Sequence, residues 1–463
     1  SLFHVFGGFL FTASVCVERY AAGGSSRRFA RLLAGAAVLI SMWLLRSAQS
    51  RSCYSIVIDA GTTATHLNIF RFDEWTLRIL DINDAAQVHT SVTPGLRDLA
   101  GNADGVAVVF RPLLEVALAT VPAAKRSTTP LAVRANAGLL FLPSDEVEKL
   151  LGAVRAFLQP FGFLDAGVEL LDGRTEAEGS WLTVNFLLGS FRPGVQRVHE
   201  PFVVMDMRSV SLQFAHFVQD DDWRHASRNI VSHSFVRRLT LPFGSGIAHL
   251  YRHSYLGYGL MEARAKGVEL LPGVGGESNE ATTPAPHPCL PTGELVSIRR
   301  GDKELRAVGE LQPRQCEALA EQLLQLDRPC GAELHETSGR CTFNGVWAAP
   351  STGQHVALVS YFFDRIADAG VIHQRSRSAE VTPADFSDAA ARFCADPHVA
   401  SSDLVPELAA WMCFDLMYLA VLLQKGMALE PKQSVTVVKT ISYNNRSFEA
   451  SWALGLAIER LAG

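Results

Sequence analysis

Two stretches of this chain repeat one pattern, in which an apolar strand ends in an aspartate and a short loop leads to a second apolar strand. Residues 54–70 read YSIVIDAGTTATHLNIF, with Asp59 at the end of the first strand. Residues 203–217 read VVMDMRSVSLQFAHF, with Asp206 in the equivalent position. One copy alone is also typical of an ordinary hairpin. Because the pattern occurs twice, we predict a duplicated fold with a cleft between its two halves.

The loop of the first copy has the composition of a phosphate site. Gly61, Thr62 and Thr63 follow the aspartate, and they bring backbone N–H groups and hydroxyl groups close to one point. The second copy differs here, because two residues after its aspartate stands Arg208, where the first copy has Gly61. The long side chain of Arg208 either blocks a phosphate site or fills its place with positive charge.

The length and charge of the chain bound its architecture and its partners. A chain of 463 residues exceeds the size at which a single hydrophobic core keeps growing, which predicts two domains. The net charge is -5, and the 42 lysines and arginines are scattered through the folded part. This distribution lacks the basic footprint of a nucleic-acid-binding protein, so we expect no nucleic-acid partner.

The first 52 residues differ in kind from the rest of the chain. Two apolar runs, residues 2–17 and 32–45, flank an arginine-rich stretch in which Glu18 is the only acid. Each run is shorter than the roughly 18 to 20 apolar residues of a spanning helix, although flanking arginines can extend the second run by snorkelling. We predict a membrane helix at about 29–46. A cleaved signal sequence and an organelle transit segment are the alternatives.

Cysteine usage bears on the compartment of the protein. Six of the eight cysteines lie in the second half of the chain, an even number that permits three disulfides in an oxidising environment. Free buried thiols are the alternative, and no cysteine pair has zinc spacing. A signal anchor with paired cysteines predicts the lumen of the secretory pathway (Golgi or ER) or the cell surface. The arginine-rich, acid-poor start keeps the mitochondrial inner membrane as the alternative.

Local patterns predict the main elements of a mixed α/β fold with helices packed on a sheet. Predicted strands cover residues 54–59, 66–72, 76–79 and 131–137, and predicted helices cover about 105–120, 144–158 with Ser144 as N-cap, 173–188, 403–426 and a final helix with a close approach at Gly455. Residues 271–288 have the composition of a surface insertion. The apolar helix at 403–426 is interrupted by Asp415, which favours a buried core helix over a membrane span.

The order of motifs along residues 54–463 resembles that of the apyrases, or nucleoside triphosphate diphosphohydrolases. Five motifs carry the resemblance: IDAGTTATHLNIF (58–70), RANAGLLFLP (134–143), LDGRTEAEGSWLTVNFLLG (171–189), MDMRSVSLQF (205–214) and SWALG (451–455). The resemblance implies an actin-like α/β fold, in which two RNase H-like lobes of mixed sheets flanked by helices hold nucleotide in the cleft. It also implies hydrolysis of nucleoside di- and triphosphates with calcium or magnesium.

The same resemblance implies a domain division and a disulfide pattern. Beyond the membrane tether at 1–52, which the composition predicts, lobe I would comprise 53–171 with 445–463, and lobe II would comprise 172–444, with the surface insertion at 271–288. The implied disulfides are Cys289–Cys316, Cys330–Cys341 and Cys394–Cys413.

The resemblance implies a role for each matching residue in the cleft. Asp59 and Asp206 would hold the metal ion through water, and Glu176 would be the catalytic base that takes a proton from the attacking water. Ser211 and Gln213 would orient that water. Phosphoryl transfer to water needs a base in reach of an in-line nucleophile and dense positive or N–H potential around the phosphoryl group. The candidate phosphate-binding residues are Gly61, Thr62, Thr63, Asn136 and Arg208.

The phosphate side of the site departs from the apyrase pattern. Arg208 and Ser209 replace a Gly-Gly pair, whose backbone N–H groups approach phosphate closely. Further departures are Ala64 for glycine, His66 for arginine, Asn136 for threonine, Leu140 for arginine and Thr175 for glutamate. Because the loss of one preorganised group around a developing phosphoryl charge costs about 10²-fold or more in rate, we predict impaired catalysis.

Three functional hypotheses follow from these residues. The leading one is a membrane-anchored apyrase-fold protein, catalytically impaired, that acts as a structural or scaffolding subunit of a larger membrane assembly. The alternative is an active calcium- or magnesium-dependent nucleoside di- and triphosphate hydrolase, in which Arg208 clamps the phosphate. A third is a nucleotide-binding module without turnover.

Overall fold

The computed structural model describes residues 52–61, 64–82, 85, 87–135, 138–139, 142–191, 198–226, 232–274, 283–300, 303–330, 339–351, 353–396 and 404–462. The strands are β1 Ser52–Ala60, β2 Thr65–Asp73, β3 Ile79–Leu80, β4 Val88–Val92, β5 Pro130–Ala135, β6 Leu164–Leu170, β7 Phe202–Met207, β8 Ser211–Val218, β9 Val236–Thr240, β10 Ile247–Leu256, β11 Ala285–His287, β12 Leu295–Arg300, β13 Lys303–Gly309, β14 Arg340–Cys341, β15 Trp347–Ala348, β16 His355–Ser360, β17 Ser378–Val381, β18 Val435–Val438, β19 Thr440–Tyr443 and β20 Arg446–Glu449. The helices are α1 Val106–Thr120, α2 Ala123–Arg126, α3 Ser144–Leu158, α4 Gly173–Leu187, α5 Asp220–Ala226, α6 Ser232–Phe235, α7 Leu260–Glu269, α8 Pro313–Leu324, α9 Tyr361–Asp368, α10 Pro383–Ala395, α11 Pro406–Val421 and α12 Trp452–Ala462. The predicted membrane helix at about 29–46 and the residues Thr62, Thr63, Asn136 and Leu140 lie outside the described residues.

The first sheet is built around β1, which is buried on both faces. The strand order is β3-β2-β1-β5-β6, and β4 pairs with β2. Because side chains alternate along a strand, Ile56 and Ile58 enter a core shared with α1 and α3, whereas Val57 enters a second core shared with α4 and α12. Asp59 has the same parity as Val57. Its carboxylate therefore lies on the face that α4 and α12 cover.

The second sheet contains the repeat of the first hairpin. Its strand order is β17-β18-β16-β7-β8-β10-β9. Asp59 pairs with His66 across the antiparallel hairpin of β1 and β2, and Asp206 pairs with Gln213 across the antiparallel hairpin of β7 and β8. In each hairpin the partner is the seventh residue after the aspartate. The predicted duplication is confirmed, while the residue bounds of the two lobes stay a prediction.

Helix α4 packs on the second sheet, α12 packs on the first sheet, and the two helices contact each other. Glycines make this contact close, because a Cβ atom at Gly455 would lie 2.0 Å from the carbonyl oxygen of Gly179. Thr183 adds to the contact, since its Oγ1 donates to the carbonyl of Ser451 at 2.7 Å and accepts the N–H of Gly455 at 2.8 Å. The close approach predicted at Gly455 is confirmed.

Helix α11 is a core helix that continues into a π-helical turn at Leu422–Gly426. Within the described residues, Pro406–Gly426 is long and apolar enough to cross a membrane, but 72% of its apolar window is buried inside the fold. Asp415 is fully buried and accepts hydrogen bonds from Nε of Arg264 at 2.8 Å and Nε of Arg365 at 2.6 Å. The predicted core helix is confirmed, because most of its apolar window is buried in the fold. Asp415 can be buried with it because the two arginines supply the partners that a buried charge needs.

Three disulfides stabilise the part of the chain that carries the second sheet. They join Cys289 to Cys316, Cys330 to Cys341 and Cys394 to Cys413. Among the described residues Cys53, on β1, is a free cysteine. The pairing implied by the resemblance is confirmed, and the alternative of free buried thiols is wrong for these six residues.

The predicted strand at 76–79 is wrong in its first part. Oδ1 of Asp73 accepts hydrogen bonds from the N–H groups of Trp75 and Thr76, at 3.1 and 2.9 Å. These bonds fix a turn directly after β2, because an aspartate side chain competes with a neighbouring strand for backbone donors. The strand β3 therefore begins only at Ile79.

Two further predictions are corrected by the structure. Ser144 is the first residue of α3, but Pro143 holds the N-cap position, and no side-chain capping bond is formed. The carbonyl of Pro143 already accepts the N–H groups of Glu146 and Val147, so the N-cap lies one residue earlier than predicted. The predicted insertion at 271–288 is not wholly a loop, since its last residues form β11, which pairs in parallel with β13.

Candidate active site

Asp206 is the buried acid at the end of β7. Its Oδ2 accepts a hydrogen bond from Oγ of Ser180 at 3.0 Å, and its Oδ1 accepts one from Oγ of Ser360 at 2.6 Å. Ser180 lies on α4, and Ser360 ends β16, the parallel neighbour of β7. Hydroxyl groups from two different elements therefore fix the orientation of this carboxylate, as expected for a polar group that is fully buried.

Glu176 lies in the first turn of α4, which Asp172 caps. Nε2 of Gln213 donates to Oε2 of Glu176 at 2.8 Å and lies 2.9 Å from Oγ of Ser211. Burial raises the pKa of Glu176 to about 7, with Arg208 acting in the opposite direction. The structure thus brings together the predicted base and the two residues predicted to orient the water. Their catalytic roles stay predictions.

Arg208 extends into this cluster of acids from the loop between β7 and β8. Its Nε lies 3.2 Å from Oε1 of Glu176 and 3.5 Å from Oδ2 of Asp206. The Arg208 side chain is 30% exposed, whereas the side chains of the two acids are 6% and 0% exposed. Burial lowers the pKa of Arg208, but the carboxylates of Asp206, Glu176 and Asp59 outweigh this effect, so the net shift of the pKa is upward. The guanidinium therefore stays protonated in this site.

Asp59 completes the group of acids from the other hairpin. Its Oδ1 is buried and has no hydrogen-bond partner among the described residues. Burial raises the pKa of Asp59, and Arg208, His66 and a hydrogen bond from Trp452 act against this shift. Three carboxylates thus share the field of one guanidinium, and the predicted metal ligands Asp59 and Asp206 lie in that field.

The phosphate side of the site is described in part. Of the predicted phosphate-binding residues, Gly61 and Arg208 belong to the described part of the chain, and Thr62, Thr63 and Asn136 do not. The carbonyl of Gly61 accepts the N–H of Leu96 at 3.1 Å. His66, which replaces an arginine of the apyrase pattern, stacks on His89 with ring centroids 5.6 Å apart. Strand β4 therefore holds the imidazole of His66 beside the aspartate of the first hairpin.

Sequence reasoning missed the two serines that hold Asp206. Ser180 stands one residue before Trp181 in the third motif, so its place on the helix that carries Glu176 is a signal that could have found it. Ser360 had no such signal, because it follows an apolar strand far along the chain. Only the parallel pairing of β16 with β7 brings Ser360 next to Asp206.

A second buried group of charges lies farther along α4. Glu178 is 1% exposed and accepts a hydrogen bond from Arg237 at 2.6 Å, and Nε of Arg252 lies 3.4 Å away. Burial raises the pKa of Glu178 to about 6, with Glu459 acting in the same direction and both arginines against it. A cavity of about 370 Å³ nearby is lined by Arg134, Glu169, Leu170, Leu171, Asp172, Thr175, Arg237, Leu456, Glu459 and Arg460. These charges balance one another, so they do not form a phosphate site.

The predicted cation site can be tested against the oxygen atoms of Asp59 and Asp206. Calcium and magnesium take oxygen ligands, and an ion held through water needs space for its hydration shell. Both oxygens of Asp206 already accept serine hydroxyls, and the guanidinium of Arg208 lies beside Oδ2 and pairs with Glu176. The residues present do not fit a hydrated divalent cation while Arg208 keeps this position.

A group of three ligand-type side chains lies elsewhere in the described part of the chain. The Sγ atoms of Cys316, Cys394 and Cys413 are within 4.8 Å of one another. All three cysteines are in disulfides, and thiolates rather than disulfide sulfurs bind zinc. This group therefore offers no metal site in the oxidised protein.

Comparison with known proteins agrees with the fold. Residues 46–462 match the GDA1/CD39 (nucleoside phosphatase) family. The chain is 34% identical over 419 residues to Probable apyrase 1 of Oryza sativa subsp. japonica, covering 88% of this chain and 81% of that protein. It is 28% identical over 450 residues to the guanosine-diphosphatase of Schizosaccharomyces pombe, covering 88% and 74%. A crystal structure of nucleoside triphosphate hydrolases from Neospora caninum matches 94% of this chain and 97% of that chain, with a TM-score of 0.65 and 15% identity. This likeness confirms the mixed α/β fold of the chain.

Proposed function

This chain belongs to the GDA1/CD39 (nucleoside phosphatase) family, and we propose that it is a member with impaired catalysis that serves as a structural or scaffolding subunit of a membrane assembly. One observation carries the proposal. The guanidinium of Arg208 forms an ion pair with Glu176, the predicted base, and lies beside Asp206, a predicted metal ligand. Hydrolysis of a nucleoside di- or triphosphate needs the carboxylates of Glu176 and Asp206 unpaired, and the side chain of Arg208 occupies both.

Backbone hydrogen bonds hold the loop that carries Arg208. The N–H of Arg208 donates to the carbonyl of Ser211 at 2.9 Å, and its carbonyl accepts the N–H of Leu260 at 2.9 Å. The next residue is held as well, because the carbonyl of Ser209 accepts the N–H of Glu262 at 3.0 Å. The N–H of Arg208 is therefore not available to a phosphate, unlike the N–H groups of a glycine loop.

A phosphate-release assay tests this proposal. The full chain, incubated with nucleoside di- or triphosphates and calcium or magnesium, should release phosphate no faster than its Glu176→Ala variant. Guanosine and adenosine nucleotides are both included, because relatives named apyrase and guanosine-diphosphatase match the chain. Release that is abolished by Glu176→Ala would contradict impaired catalysis. Nucleotide binding without release would support the hypothesis of a nucleotide-binding module.

An active nucleoside di- and triphosphate hydrolase is the second candidate, and one observation favours it. Gln213 holds Glu176 and contacts Ser211, and the pKa of Glu176 near 7 suits a general base at neutral pH. In this case Arg208 would turn toward the substrate and clamp its phosphate. Arg208→Ala separates the two candidates, since it should abolish turnover in an active hydrolase and allow nucleotide to enter an obstructed cleft.

The membrane assignment rests on the sequence of the first 52 residues and on the disulfides. Three disulfides fit an oxidising compartment, so we place the folded part in the secretory lumen or at the cell surface, with the mitochondrial inner membrane as the alternative. Sealed membrane vesicles from cells that express the chain should protect the folded part from added protease. Digestion without detergent, or release of the full chain by alkaline washing, would contradict the anchored lumenal arrangement.

A further inference from the structure

We propose that Arg208 replaces the divalent cation in this cleft, so that the fold is complete without metal and removal of the guanidinium creates a binding site for calcium or magnesium. The inference rests on the proposed function, because it explains impaired catalysis by the loss of the cation that the family requires. It concerns metal binding rather than phosphate release, so the two can be tested apart.

The charges around Arg208 are those of a cation site. Asp59, Glu176 and Asp206 bring three carboxylates together, and Arg208 is the positive side chain that meets two of them directly. The serines that contact Asp206 are neutral and supply no counter-charge. A buried carboxylate without a cation is costly, so the acids need a positive group that stays in place. An arginine is always protonated and meets this need.

Contacts with α7 fix the backbone that carries Arg208. The carbonyls of Arg208 and Ser209 accept N–H groups from the start of α7, which ties the loop to the second half of the fold. Gly259, just before that helix, lets the loop approach closely, since a Cβ atom there would lie 2.3 Å from the amide nitrogen of Ser211. The side chain of Arg208 extends from this fixed backbone, and its Nε contacts the buried carboxylates of Glu176 and Asp206.

A guanidinium and a hydrated ion exclude each other in this space. Calcium at 2.3 to 2.6 Å from oxygen ligands, or magnesium with its waters, needs the volume next to Asp206 that Arg208 fills. Two cations near one carboxylate would also repel each other. Oδ1 of Asp59 is buried without a hydrogen-bond partner among the described residues, so it is the oxygen free to take up an ion once Arg208 is removed.

The test measures metal binding and thermal unfolding of the full chain, first stripped with EDTA. Titration calorimetry with calcium alone, and separately with magnesium alone, should detect no binding to wild type that depends on Asp59. Arg208→Ala should bind one of these ions at least tenfold more tightly than wild type, and Arg208→Ala with Asp59→Asn should lose that gain. With calcium or magnesium added back, the Tm of Arg208→Ala should be several degrees higher than in EDTA, whereas the Tm of wild type should be the same in both.

Two control variants distinguish loss of the positive charge at position 208 from a nonspecific effect of removing an arginine. Arg208→Lys keeps a cation and should gain no metal site. Arg306→Ala removes a half-exposed arginine that pairs with Glu304 at 3.1 Å, and it should behave like wild type in both measurements. If Arg208→Ala does not fold, wild type and Asp59→Asn decide the question alone.

Calcium or magnesium binding to wild type that disappears in Asp59→Asn would overturn the inference. So would an Arg208→Ala protein that folds and binds neither ion. The proposed function has a different point of failure, because phosphate release by wild type in the presence of EDTA would refute impaired catalysis and leave the inference intact. Metal binding by wild type that depends on Asp59, without phosphate release, would refute the inference and leave impaired catalysis intact.

Discussion

Asp415 and Glu176 are both buried acids, and their partners differ. Asp415 accepts hydrogen bonds from two arginines, Arg264 and Arg365, so its charge is compensated within the core. Glu176 shares one arginine with two other acids, and burial raises its pKa to about 7. The first acid is a structural ion pair, and the second is an acid that changes its charge near neutral pH.

Replacing Glu176 by glutamine should change how stability varies with pH. Because the folded pKa is raised from 4.5 to about 7, the folded protein binds more protons than the unfolded chain between these values. The stability that Glu176 contributes is therefore complete below about pH 4.5 and is lost as the pH rises through 7. Over this range, wild type should lose on the order of 3 kcal/mol relative to Glu176→Gln, measured by denaturant unfolding at several pH values.

The control for this pH experiment is Glu294→Gln, which changes an exposed glutamate in a loop. Its stability should follow that of wild type at each pH. If the free energy of unfolding changed with pH in the same way for wild type and Glu176→Gln, the pKa of Glu176 would not differ between the folded and unfolded states.

Asp415→Asn should destabilise the protein by about 3–5 kcal/mol, because it removes the carboxylate that pairs with the buried guanidinium of Arg264 and leaves Arg365 with Asp368 alone. The matched control is Asp81→Asn, which removes one partner of an exposed pair with Arg446 at 2.9 Å and should cost less than about 1 kcal/mol. Denaturant unfolding measures both changes. Equal losses in the two variants would mean that the buried pair contributes no more than a surface pair.

At the scale of elements, the hairpins could be predicted from sequence and their surroundings could not. Alternation of apolar residues and the position of each aspartate are local properties, so β1, β2, β7 and β8 lie close to their predicted positions. The turn after β2 was missed because the side chain of Asp73 captures two backbone donors, which periodicity does not reveal. Ser360 was missed because strand pairing, rather than any local pattern, brings it to Asp206.

Gly455→Ala tests the contact between α4 and α12. The added Cβ would lie 2.0 Å from the carbonyl oxygen of Gly179, so the helices must move apart, and stability should fall by about 1–3 kcal/mol. Gly152→Ala makes the same change in α3, where a Cβ would meet nothing within 4 Å, and it should stabilise by up to about 1 kcal/mol. Denaturant unfolding compares the two. A neutral Gly455→Ala would show that the contact tolerates a methyl group.

At the scale of the whole molecule, the fold and the disulfides were predicted from resemblance rather than from residue patterns alone. An even number of cysteines permits bridges but does not say which residues pair, and only ordered motifs carried the pairing. The resemblance also predicted that Glu176, Ser211 and Gln213 would meet. The internal repeat placed Arg208 at the phosphate site, but its contacts with Glu176 and Asp206 were not predictable from the resemblance, because the family has glycine there. Its contacts depend on how one loop packs against α7.

Thiol counting tests the disulfides of the whole chain. Unfolded without reductant, the full chain should leave Cys289, Cys316, Cys330, Cys341, Cys394 and Cys413 unreactive toward an alkylating reagent. Reductant should expose all six and lower the Tm, because bridges that close segments of 27, 11 and 19 residues restrict the unfolded chain. Alkylation of these cysteines before reduction would contradict the pairing and the oxidising compartment inferred from it.

The equal lengths of the two hairpins have a consequence for how this protein could have changed over time. In both, the partner of the aspartate is the seventh residue after it, so the two loops differ in side chains and not in chain length. In a duplicated motif, one copy can accumulate substitutions while the other keeps the original loop residues and backbone conformation. The presence of Arg208 and Ser209 in place of the glycine pair of the apyrase pattern therefore involves substitutions alone, with no insertion or deletion in the second hairpin.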